Sequence, residues 1–171
     1  AAALVEVYNR GNLTNLILLT ALRLALEGAA PPAPQPGPEV EPPEMLPPPP
    51  PLPRLDSLAP ESAALVQGLA ARHPGGVVPS LYLHLAHWPG LLAALPGWAG
   101  SLVEPTAVAA GRDAMLAPAT AEAAALRLRM PAAPLGHAAS DARAAIENFS
   151  RRVIPAMVPV GLGLRRLLAQ P

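Results

Sequence analysis

The chain has 171 residues, 51% of them apolar and only 3% aromatic, with 12 arginines, no lysine, 12 acidic residues and a formal net charge of zero. That size and apolar fraction are enough for one domain with a real core, while zero net charge with dispersed arginines excludes a nucleic-acid footprint. The absence of cysteine excludes thiol catalysis, disulfides and thiolate metal sites together.

Residues 3–27 read as one long helix, rich enough in leucine to be buried on most sides, with Gly28 and Pro31 ending it. Between Pro31 and Pro53, 13 of 23 residues are proline. No helix or sheet survives that density, so the segment is an extended polyproline strap: a linker of fixed reach, or a ligand for a proline-recognition domain. Asp56 or Ser57 caps the next helix, with Pro60 and Glu61 in its first turn, running to about Arg72 before His73-Pro74-Gly75-Gly76 breaks it. Pro79 and Ser80 open a helix through Trp88, and Pro89-Gly90 stop it. Leu91 to Leu102 is helical but interrupted at Pro96-Gly97. Thr106 to Met130 forms one or two helices with a break at Pro118, and Pro131 to Gly136 a loop. Ser140 and Asp141 begin the last pair of helices, which Pro155 and Pro159 bend before Leu168. No hairpin or alternating strand is present, so the predicted fold class is all-α, a helical bundle. The longest uncharged apolar stretch, Leu16 to Leu22, is far short of the ~20 residues that span a bilayer. A cytoplasmic protein is expected. The Ala, Arg and Pro excess matches a GC-rich bacterial genome.

The two ends carry a near-repeat. With one offset and no gap, Tyr8, Arg10, Leu13, Leu16 and Ile17 superpose on Phe149, Arg151, Ile154, Met157 and Val158. Both copies run on into Leu/Arg-rich sequence. The expected organisation is the terminal helix of a first repeat at 1–30, a Pro-rich linker at 31–55 and a second helical repeat at 56–171. The chain then reads as a fragment lacking most of its first half.

Tyr8, Asn12, Asn15 and Leu19 share one helical face, with Asn9 on its flank. Three carboxamides in a largely aliphatic helix wall are costly unless partnered. The second copy has Ser150, Val153 and Ala156 at those places, so packing alone does not demand amides. They serve either a site or hydrogen bonds to neighbouring helices. His84 and His87 have a spacing that suits one metal ion, yet no third ligand motif follows, and a packing or surface role fits better. His73 and His137 stand alone in loops. Asp56 and Asp141 sit where N-caps are expected. No metal site is predicted.

Three segments together resemble a known family: Tyr8-Asn9-Arg10-Gly11-Asn12 with its Leu-rich helix, the run from Val78 to Pro89, and the closing stretch from Phe149 to Leu168. They resemble the group I 2-haloacid dehalogenases, the DehI-like family. The resemblance implies an all-helical protein of two fused repeats with the active site between them. It further implies hydrolytic dehalogenation of a halogenated carboxylic acid, a 2-haloalkanoic acid, by a water that a carboxylate activates directly. No metal or organic cofactor is implied. Asn12 and Asn9 would position the water, and Tyr8, Asn15, Ser80 and Tyr82 would bind substrate. The family's aspartate base belongs near the helix that starts at Val78. This chain has Pro79, Ser80 and Leu81 there, so the general base is unassigned; Leu83 likewise stands where many relatives have arginine. Besides a DehI-like hydrolase, two readings stay open: a non-catalytic helical module binding a small apolar acid, and duplicated helices that form a homodimer.

Overall fold

The computed structural model describes residues 1–28, 45–98, 104–126, 128 and 139–169. The strap at 31–44, the expected loop at 131–136 and His137 lie outside these residues. Among the described residues all regular structure is helical, and no strand is present. The elements are α1 (Ala2–Leu26), α2 (Pro60–Ala70), α3 (Ser80–Leu85), α4 (Pro89–Trp98), α5 (Pro105–Ala125), α6 (Ala139–Asn148) and α7 (Ile154–Leu168). A 3-10 turn at Leu55–Ser57 precedes α2, and a π turn at Phe149–Val153 joins α6 to α7.

Helices α1, α5 and α7 pack against one another, and α2, α3 and α4 form a second group. The larger core joins the groups: Leu4 and Val5 of α1 meet Val66 and Leu69 of α2, Leu81 and Leu85 of α3, Leu92 and Leu95 of α4, and Met157, Val160 and Leu164 of α7. A smaller core holds Leu16, Ala119, Ile154 and Val158. Each such aliphatic side chain contributes about 1.5–3 kcal/mol on leaving water. The N-terminal half of α1 therefore belongs to one core and its C-terminal half to the other. No described helix is long and apolar enough to cross a membrane.

Several local expectations are corrected. The helix α1 is not buried on most sides: Leu13 is 40% and Leu18 51% exposed, because its neighbours cover one flank and leave the other open. Asp56 and Ser57 form a separate turn rather than capping α2. Asp56 pairs with Arg54 across 2.8 Å and Ser57 donates to the Arg54 carbonyl, while Pro60 stands at the start of α2. The helix opened by Ser80 stops at Leu85, short of Trp88. Pro96 and Pro118 do not interrupt α4 and α5. Proline removes one N–H and crowds the carbonyl four residues back. At Pro118 that carbonyl belongs to Ala114, on the exposed side of α5. Pro155 acts more strongly. It withholds an N–H from Arg151, and the helix widens into the π turn just before it.

Two glycines set helix distances. A Cβ on Gly111 of α5 would sit 2.7 Å from Cγ of Pro159 in α7, a ring that cannot swing away. On Gly161 of α7 it would strike Asn9 of α1. Gly111→Ala is expected to lower stability by about 1–2 kcal/mol, overpacking outweighing the ~1 kcal/mol of helix propensity gained. Gly68→Ala, on the exposed side of α2 with nothing within 4 Å, should instead raise it by up to ~1 kcal/mol. Urea unfolding of the two variants checks both signs.

Candidate functional site

Three pieces of backbone form a cleft of about 640 Å³. The first is the face of α1 that carries Tyr8, Asn12, Asn15, Leu18 and Leu19. The second is the segment Val77–Leu81 that enters α3. The third is the π turn and the start of α7, contributing Phe149, Val153, Ile154 and Met157.

The local sequence dictates this arrangement. Gly75, at φ +100°, turns the chain in a way that disfavours a side chain, and a Cβ there would strike Val153. Asn148 Nδ2 donates to the Gly75 carbonyl at 3.1 Å, tying this turn to the edge of the π turn. Val77 and Val78 then run toward Pro79, whose extended backbone leads into Ser80 at the head of α3. Across the cleft, the widened turn before Pro155 presents Phe149 and Val153 to the same space.

The sequence-derived candidates divide. Tyr8, Asn12, Asn15 and Ser80 line the cleft, whereas Asn9 and Tyr82 do not. Asn9 is buried at the α1–α7 crossing and donates from Nδ2 to the Gly161 carbonyl at 3.1 Å. Tyr82 is fully buried in the larger core, its hydroxyl 2.6 Å from His73 Nε2. Asn12 is half-buried and Asn15 exposed, and neither side chain has a hydrogen-bond partner among the described residues. Among the described residues, none that lines the cleft is acidic or basic. The described carboxylates nearest in sequence to these elements are engaged elsewhere: Glu6 with Arg10 and Arg165, and Glu147 with Arg151.

His84 was the residue whose use the sequence left least visible. Its Nδ1 lies 2.6 Å from the Tyr8 hydroxyl and its Nε2 2.8 Å from the Pro50 carbonyl. A carbonyl only accepts, so Nε2 carries the imidazole proton and Nδ1 accepts from Tyr8. His87 meets the Pro51 carbonyl at 2.8 Å in the same way. The i, i+3 histidine pair thus holds the backbone at Pro50 and Pro51. Among the described residues no group of three ligating side chains is placed to hold a metal. Burial pushes the Tyr8 phenol up to about 12, against a smaller downward pull from the Ser80 hydroxyl beside it. Burial likewise raises the Tyr82 phenol. Phe149, Val77 and Val78 went unremarked as cleft residues; only the repeat offset, which sets Phe149 opposite Tyr8, hinted at the first.

The chain matches no protein-family model, no curated protein and no solved structure.

The His73 side chain makes one hydrogen bond, to Tyr82, and its Nδ1 is buried without a partner. Burial lowers its pKa from 6.5 to about 4. The unfolded chain therefore binds the proton more readily than the folded one between these values. Stability is complete above pH 6.5 and is lost progressively as pH falls toward 4. Melting temperatures recorded from pH 7 to 4.5 should fall less steeply for His73→Gln than for the parent protein.

Proposed function

We propose that this chain binds a small, largely apolar carboxylic acid in the cleft. The side-chain amides of Asn12 and Asn15 take the carboxyl end, and Val78, Phe149 and Met157 receive the hydrocarbon end. One observation carries this reading: Asn12 and Asn15 line the cleft with amides that no described residue engages, whereas Asn9 on the same helix is fully used. Carboxamides on an aliphatic wall gain by finding a partner, and a carboxylate accepts strongly from an N–H. Exposed Asn15 leaves the acid partly hydrated, which suits a cleft without a cation. The volume lies within the range of small-molecule sites.

A second reading, hydrolytic dehalogenation of a 2-haloalkanoic acid in a two-repeat protein, has support of its own. The cleft takes Tyr8 and Asn12 from one near-repeat, and their offset counterparts Phe149 and Val153 from the other. Asn9 and Ser150 are another such pair, and both are buried, as are Thr20 and Gly161. A site between duplicated helices is the arrangement that the DehI-like resemblance implies. The absence of a carboxylate from the lining favours binding over this chemistry.

Calorimetric titration with butyrate and with both enantiomers of 2-chloropropionate tests the proposal, with chloride release followed in parallel. Binding of all three is expected. Asn12→Leu should weaken it at least ~10-fold, the loss of one or two charge-assisted hydrogen bonds, while the unfolding midpoint stays within ~2 °C. Chloride release abolished by Asn12→Ala would favour the second reading. No binding to folded protein would refute the cleft as a site for such acids.

A further inference from the structure

Tyr8 is the lining residue whose proton has a fixed destination. The Pro50 carbonyl requires hydrogen on His84 Nε2, which leaves Nδ1 as an acceptor at 2.6 Å from the Tyr8 hydroxyl. The phenol therefore spends its single proton inward. Its oxygen can only accept, from the Ser80 hydroxyl beside it and from a water or ligand hydroxyl in the cleft. A water bound there points a proton at an oxygen already linked to the buried His84 imidazole. Nucleophile, base and orienting group commonly stand in this relation, the base held by a third group in the tautomer the reaction needs.

The geometry points to a Tyr8–His84 relay, oriented by the Pro50 carbonyl, as the general base of this cleft, activating water for hydrolysis of a neutral ester of a small apolar acid. The inference rests on the proposal that the cleft holds such acids, since the acid is the product. A water O–H bond breaks and its proton passes to Tyr8 Oη, while the original phenol proton passes to His84 Nδ1. The water oxygen bonds to the ester carbonyl carbon, and the carbonyl electron pair moves onto its oxygen, where the Asn12 or Asn15 amide N–H donates to it. Collapse of this intermediate re-forms the carbonyl and breaks the bond to the leaving alkoxide. The alkoxide takes its proton from Tyr8, which recovers one from His84. Acid and alcohol are released with the relay restored. The ester, like the acid it releases, meets amides and hydrocarbon, with no charged side chain among the described lining residues. His84 touches no substrate in this scheme; it acts through Tyr8 and keeps its proton balance through Pro50.

The test is saturable hydrolysis of p-nitrophenyl butyrate by the full chain, compared with Tyr8→Phe, His84→Gln and the double variant. Each single variant should lower kcat by about 10²-fold or more with KM within ~3-fold, as expected for loss of a general base. The double variant should be no worse than either single one, because the two side chains act as one unit. Losses that multiply, or an unchanged kcat in Tyr8→Phe, would overturn the relay. So would the lack of turnover by protein that binds butyrate, an outcome that leaves the binding proposal standing. Failure of butyrate to bind, by contrast, removes that proposal and the relay with it. Should His84→Gln not fold, ¹⁵N NMR of the parent imidazole decides. Hydrogen on Nε2 and a bare Nδ1 are expected, and hydrogen on Nδ1 would contradict the relay.

Discussion

The crossing of α1 over α7 is the contact on which the rest of the molecule depends. Gly161 has no side chain, so α1 approaches closely enough for Asn9 to reach its carbonyl. A buried amide that finds its acceptor is worth about 1 kcal/mol, and stranding it would cost more. The same crossing places Leu4 and Val5 in the larger core and Leu16 in the smaller one, so a single helix links both. One and two helical turns away from Tyr8, the face of α1 that α7 does not cover becomes a wall of the cleft. The site thus follows from how one polar side chain and one glycine set the helix distance.

Proline shapes the remaining walls by withholding hydrogen bonds. Pro155 denies Arg151 a donor, and the helix widens into the π turn that presents Phe149 and Val153. Pro79 holds the extended entry to α3 and sets Ser80 opposite α1. Pro50 and Pro51 cannot donate, but their carbonyls still accept, and His84 and His87 supply the N–H groups. Through His84 a backbone carbonyl at Pro50 sets the hydrogen-bonding sense of Tyr8 in the cleft.

The all-helical class was legible in the lack of any hairpin or alternating strand and in the leucine-rich helical runs. The helical face carrying Tyr8, Asn12 and Asn15 was legible from the 3.6-residue period alone. Pro96 and Pro118 stand inside helices, so one missing N–H does not break either one. Asn9 stands on the flank of that face, but what it does there depends on the approach of a backbone 152 residues away. Tyr82 carries the same lesson. The resemblance implied a substrate role for Tyr82, but α3 turns it into the core toward His73. The role of His84 depends on the strap carbonyl 34 residues back, a partner without any sequence motif.

The most direct measurement is the side-chain amide region of the ¹⁵N NMR spectrum during titration with butyrate. The account predicts that the Nδ2 signals of Asn12 and Asn15 move together and saturate, while that of Asn9, committed to Gly161, stays in place. Movement of Asn9 alone, or saturation elsewhere with Asn12 and Asn15 unmoved, would contradict it.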